Sequence, residues 1–212
     1  MRIKLALILA LLPAMMSAQE QLSPALVIGG DVKEKYLVRP GMKVFGDQAL
    51  GAFYRPGGEK TGPELGSVAK TRKPFLVQHI MFSVKANYIP GCVAAINFYR
   101  MEGTPESFAN VLHKPVYVNI PESKTPQKFD IQPQESILLE PGKYFVGFQI
   151  VATDEEASRK YLETPESERD PNAMYMYMTL YYKNCYQRDV AMGEMSHFPV
   201  NVGIAVKGLE YQ

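Results

Sequence analysis

Few residues of this chain are of a type that does chemistry. The three histidines are His79, His113 and His197. No Gly-x-Ser-x-Gly elbow accompanies them, and neither cysteine has a protease-like setting, so acyl transfer lacks a foundation. His79 alternates with Met81 and Ser83, opposite Leu76 and Ile80, and reads as a surface or satisfied histidine rather than a base. Paired carboxylates could do glycosidase-type work. Asp130, Glu140, Asp154 and Glu155 are candidates by type alone, because that chemistry depends on the separation of two carboxyl groups. The run Asp154-Glu155-Glu156 fits the charged first turn of a helix better than a calcium loop.

The most specific local feature is the run Met174 to Tyr182. In a strand, Met174, Met176, Met178, Leu180 and Tyr182 share one face, and Tyr175, Tyr177, Thr179 and Tyr181 share the other. The methionine face reads most simply as core, where flexible thioethers fill gaps. Three spaced thioethers, with Met192, Met195 and His197 close in sequence, are also of the softness that suits Cu(I), although a sandwich core has the same appearance. The tyrosine face is either a half-buried packing face or a platform for a sugar ring or a partner's apolar patch, since tyrosine keeps a polar tip on a flat ring. Tyr175, Tyr177 and Tyr181 are the candidate ligand-binding residues. The absence of tryptophan weighs against the sugar reading.

Cys92 and Cys185 are the two cysteines. An even count permits a disulfide in an oxidising compartment, and the alternative is two buried thiols on unrelated strands. They cannot close a zinc site, because no ligand spacing surrounds them. No metal site or cofactor is expected.

The elements that must position these residues are short β runs closed by Gly, Pro and Asp. Ala25–Ile28 stops at Gly29-Gly30, Lys35–Val38 at Arg39-Pro40-Gly41, and Met42–Phe45 at Gly46-Asp47. Leu50–Tyr54 is expected as an edge strand and Leu65–Ala69 as a short strand after a long turn. Longer strands follow. In Phe75–Val84, Leu76, Ile80, Phe82 and Val84 are expected on one face. In Cys92–Met101, Ala94, Ile96 and Phe98 oppose Asn97 and Tyr99. Val116–Ile120, Phe129–Ile131 and Ser136–Leu139 continue the pattern. Tyr144–Val151 is apolar on both faces apart from Gln149, as a central strand would be, and Ala173–Tyr182 and Val200–Val206 complete the set. Such repeated period-two alternation predicts an all-β, antiparallel two-sheet sandwich of jelly-roll type. Thr153 and Glu156 have capping-box spacing, which predicts a short helix over 154–163. Thr104-Pro105-Glu106 could start one further turn.

Arg2 and Lys4, the apolar run Leu5–Leu12, Pro13 and the exit Met16-Ser17-Ala18 have the form of a secretory signal peptide. The apolar run is too short to span a bilayer, and no membrane span is expected in the mature chain. Removing residues 1–18 from 212 leaves 194 residues, read as one β-sandwich domain with N-terminal strands over 19–49 and the main sandwich over 50–212. The chain has 23 basic and 22 acidic residues; the leader holds two of the basic ones, so the mature balance is 21 against 22. A near-neutral chain has no basic field for nucleic acid or anionic lipid. With 46% hydrophobic residues it can bury a core.

Several segments carry a resemblance. Leu65-Gly66-Ser67-Val68 leads into Lys73-Pro74-Phe75-Leu76-Val77; then come Ile96-Asn97-Phe98-Tyr99, a Gly-Thr-Pro turn, and Pro141-Gly142-Lys143-Tyr144-Phe145-Val146-Gly147. This resembles the secreted β-sandwich domains of Bacteroidetes-type bacteria, of the kind that follow carboxypeptidase-regulatory-like modules. The similar region covers about Leu50 to Val151, and a leader ending Ser-Ala-Gln is similar to that lineage too. The chain departs from the pattern in lacking a full-length regulatory-like module before Leu50. The resemblance implies a jelly-roll-like sandwich and an envelope or extracellular role; it carries over no functional residues. The resulting expectation is a non-catalytic binding or structural module of the bacterial envelope or exterior, with a glycan or an envelope protein as partner. The alternatives are a carbohydrate-binding module with a tyrosine platform and a glycoside hydrolase-like enzyme with a carboxylate pair.

Overall fold

The computed structural model describes residues 25–29, 42–45, 64–103, 107–154, 156, 159–160, 163–165, 174–176, 178–179, 185–188, 194–197 and 201–211. The leader, Lys35–Val38, Leu50–Tyr54, Thr104–Glu106, Tyr177 and Tyr181 lie outside the described residues. The strands are β1 (Leu26–Gly29), β2 (Met42–Phe45), β3 (Glu64–Thr71), β4 (Phe75–Asn87), β5 (Cys92–Glu102), β6 (Ser107–Asn110), β7 (Val116–Ile120) and β8 (Gln127–Ile131). They continue with β9 (Ile137–Leu139), β10 (Gly142–Ala152), β11 (Met174–Met176), β12 (Met178–Thr179), β13 (Cys185–Arg188), β14 (Ser196–His197), β15 (Asn201–Val202) and β16 (Ile204–Glu210).

These strands form two curled antiparallel sheets packed face to face, the all-β sandwich that the alternation predicts. Sheet A is centred on β4. Strands β16 and β11 lie along one of its edges, backed by β1 and β2, and β9 and β8 lie along the other. Sheet B runs β14-β13-β3-β10-β5, and both β6 and β7 pair with the outer edge of β5. A small third pairing joins β12 to β15.

The core between the sheets follows from alternation. Ala94, Ile96 and Phe98 of β5 and Tyr144, Val146, Phe148 and Ile150 of β10 point inward against Ile80, Phe82 and Val84 of β4. Phe82 lies flat on Phe129 with centroids 4.7 Å apart and edge-on to Phe148 at 5.3 Å. The Ser67 hydroxyl of sheet B donates to the Ile204 carbonyl of sheet A at 2.8 Å, a polar tie within the apolar layer. Asn87 fixes the β4–β5 connection. Its amide donates to the Ile120 carbonyl at 2.9 Å and the Ile89 carbonyl at 3.2 Å, and its Oδ1 accepts from the Ile89 N–H at 3.0 Å.

The structure corrects two expectations and bears on the open question of the cysteines. Leu76 does not share the inward face with Ile80. Lys207 stands opposite His79 and Gly208 opposite Val77, so Gln78 is an extra residue on β4. This β-bulge reverses the side-chain parity: Phe75 and Val77 face the core before it, Ile80, Phe82 and Val84 after it. Leu76 is left on the outer face, in register with Leu138 and Leu209. Glycine at 208 permits the bulge, because a Cβ there would overlap the Leu76 carbonyl.

The described parts of the run 174–182 are two strands in different sheets rather than one. β11 lies in sheet A, whereas β12 pairs with β15 outside it.

Nor do the cysteines pair. Cys92 is a buried free thiol on β5, and Cys185 stands opposite Ser67 on β3. Strands β3 and β10 separate the two, about 14 Å of sheet by strand spacing alone, against the roughly 7 Å limit between bonded Cα atoms.

The predicted helix is represented by Glu156, Arg159, Lys160 and Glu163, all helical and exposed, with the Thr164 N–H donating to the Lys160 carbonyl at 3.1 Å. Among the described residues no helix is long and apolar enough to cross a membrane.

Candidate functional site

Of the three candidate tyrosines, Tyr175 is the one within the described residues. Met174 and Met176 flank it, fully buried in the core. Tyr175 points to the opposite face and is half-buried, with its ring edge-on to Tyr88 at 6.3 Å. The candidate carboxylates occupy separate elements. Asp130 on β8 meets His79 Nδ1 at 2.6 Å on the solvent face of sheet A. Glu140 sits at the β9–β10 turn, and the Asp154 N–H donates to the Pro90 carbonyl beyond β10; Glu155 lies outside the described residues. Asp130 is 61% exposed, so its pair with His79 contributes little to stability. Among the described residues no group of three His, Cys, Asp or Glu side chains is placed to hold a metal. Met195 packs against the cluster of Tyr99, Met101 and Phe145 on the outer face of sheet B, while His197 is exposed, edge-on to Tyr186 at 5.7 Å.

That outer face holds a polar cluster which periodicity alone does not reveal. Across the sheet the register runs Arg188–Glu64–Gln149–Ala95–Tyr117. The neighbouring row has two glycines side by side, Gly66 and Gly147. A Cβ on Gly147 would overlap the Glu64 carboxylate, and one on Gly66 would overlap the Phe145 ring. The missing side chains therefore make a shallow bed in which a carboxylate and an aromatic ring lie against backbone. Glu64 is fully buried there. Its Oε2 accepts from Arg188 Nη2 at 2.7 Å and from the Tyr99 hydroxyl at 3.2 Å, and its Oε1 accepts from Asn97 Nδ2 at 3.2 Å. The Arg188 guanidinium also lies 5.3 Å from the centre of the Tyr99 ring, a cation–π contact. Burial raises the Glu64 pKa, opposed by the Arg188 charge and then by the hydrogen bonds. Burial and the Glu64 charge likewise push the Tyr99 hydroxyl up. With no exposed edge, the Glu64 carboxylate serves as an anchor between β13 and the rest of sheet B.

The anchor reaches an open surface. Asn97 Oδ1 accepts from Asn110 Nδ2 at 3.4 Å, and Asn110 Oδ1 accepts from the Leu112 N–H at 3.0 Å. This last bond is an Asx turn that lifts the chain off β5. Here β6 ends with Asn110 opposite Tyr99 and β7 begins with Val116 opposite Ile96. Five residues, 111–115, thus span the place of two, Asn97 and Phe98. The facing edge of sheet A repeats the device. β8 ends with Ile131 opposite Ile80 and β9 begins with Ile137 opposite Val77. There five residues, 132–136, span Gln78 and His79. Pro115 and Pro133, which cannot donate to a ladder, fall in these two excursions.

The two excursions are the lips of a groove of about 710 Å³ along the open side of the sandwich. Val111, Tyr117 and Leu138 line it and are 42%, 62% and 53% exposed, three of the most exposed large apolar side chains described. Between them stand His113, Lys114, Gln132, Gln134, Glu135 and Ser136. The strand-interior glycines and the Pro-bearing polar tracts between strands are the sequence signals for these two features.

Compared with protein-family models, with curated proteins and with solved structures, the chain matches none.

Proposed function

We propose that this chain is a non-catalytic binding module, exported to the envelope or exterior of a bacterium, and that it binds through the groove between the 111–115 and 132–136 excursions. One observation carries the reading: the exposed edges of both sheets are interrupted at the same level by excursions of equal length, and the space between them holds exposed apolar and polar side chains. Bulges and prolines also protect sheet edges from pairing with other chains. Edge protection alone requires charge or proline at the edge, but not an exposed tyrosine and leucine on either side of a cavity. The volume lies within the roughly 300–1,000 Å³ of small-ligand sites. Export rests on the leader pattern of residues 1–18, in keeping with the secreted sandwiches that the middle of the chain resembles.

The test is ligand-observed NMR against a mixed panel of oligosaccharides, short peptides, nucleotides and lipid headgroups, run on the protein and on Tyr117→Ser. Binding of any class that the substitution abolishes is the expected result. Binding that is indifferent to Tyr117, or none from any class, contradicts the reading.

A further inference from the structure

Resting on the groove as the binding site, we infer that its ligand is a neutral saccharide. The chemistry of the lips narrows the choice. Their one lysine, Lys114, and one carboxylate, Glu135, offset each other, so the groove has no net field to select a phosphate, a polyanion or a cation. The remaining polar groups, His113, Gln132, Gln134 and Ser136, can each donate and accept hydrogen bonds, as a run of sugar hydroxyls requires. Tyr117 supplies the apolar element, a ring 62% exposed. Such a ring stacks on the C–H face of a pyranose while its hydroxyl stays in water.

A peptide added as an extra strand is disfavoured by the same geometry. Strand addition needs a continuous ladder of edge N–H and C=O groups. Both edges here are broken midway, and Pro115 and Pro133 have no N–H to offer. The ligand must instead be read by side chains, and the groove is open along the sandwich, as a chain of sugar rings needs.

Isothermal titration calorimetry with neutral tetrasaccharides of gluco, manno, xylo and galacto configuration tests this, alongside oligogalacturonate and a pool of decapeptides. At least one neutral sugar should bind, with affinity unchanged between low and high salt. Tyr117→Ala should weaken it about tenfold or more, whereas Tyr117→Phe retains it. Because Tyr117 is a surface residue, the variants fold. Tyr117-dependent binding of decapeptide or oligogalacturonate, with no neutral sugar bound, overturns the ligand class and leaves the groove standing. Sugar binding that ignores Tyr117 overturns the site. No binding by any probe overturns both.

Discussion

Replacing Arg188 by methionine would leave the Glu64 carboxylate buried on the outer face of sheet B with no positive partner. Breaking a buried ion pair from one side costs about 3–5 kcal/mol, because the remaining charge keeps its desolvation penalty. Two features place this case near the lower end. The Arg188 side chain is 16% exposed, and Asn97 and Tyr99 still donate to the two carboxylate oxygens. A loss of about 3 kcal/mol corresponds to roughly 6–12 °C in Tm for a domain of this size. The pH dependence identifies the cause. Burial already holds the Glu64 pKa above its ordinary value of 4.5, and Arg188 opposes that rise. Without Arg188 it rises further. A carboxyl whose folded pKa is raised contributes stability that is complete below its unfolded pKa and is lost as pH climbs through the folded value. The gap between the protein and Arg188→Met should therefore be small near pH 4.5 and widen toward neutrality. Adding Glu64→Gln to the variant should close most of the neutral-pH gap, since no buried charge then remains. Urea unfolding across that pH range is the assay. A deficit equal at acid and neutral pH, or no deficit at all, would refute the reasoning.

Three further outcomes are expected. Gly147→Ala should destabilise by about 1–3 kcal/mol and disturb the Glu64 cluster, because the new methyl occupies the carboxylate's place; denaturant midpoints measure this. Asn87→Leu should cost about 2–3 kcal/mol, since it strips the Ile89 N–H and two buried carbonyls of their partner; thermal unfolding reads it. Burial pushes the Cys92 thiol up to about 12, so iodoacetamide at mildly alkaline pH should leave Cys92 unlabelled in the folded protein and label it after unfolding, as peptide mass spectrometry would record.

The fold was legible wherever one face of a strand is apolar and the pairing is regular. Ala94, Ile96 and Phe98 fall inward as alternation demands, and β10, apolar on both faces, lies in the interior of sheet B between β3 and β5. Alternation fails at Leu76 because a single extra residue, Gln78, reverses the parity, and nothing local in the sequence marks where a bulge falls. The paired glycines had a readable local meaning, close approach of some group to backbone. That the group is a glutamate on the adjoining strand depends on register, which one sequence does not carry. Strand β13 is hidden from sequence for the same reason: Cys185-Tyr186-Gln187-Arg188 has little alternation, and it is held by Arg188 on Glu64 rather than by an apolar stripe. The groove is further still from sequence. Its two lips are 17 residues apart along the chain, from Pro115 to Gln132, and only the matched interruption of two different sheets brings them together.

The most direct measurement of the binding claim is amide chemical-shift mapping of the ¹⁵N-labelled protein titrated with the neutral tetrasaccharide panel. The account predicts shifts concentrated in 111–117 and 131–138, spreading through Asn110 and Asn97 toward Glu64. Shifts centred on the β11 segment around Tyr175, or no shifts with any of the sugars, would contradict it.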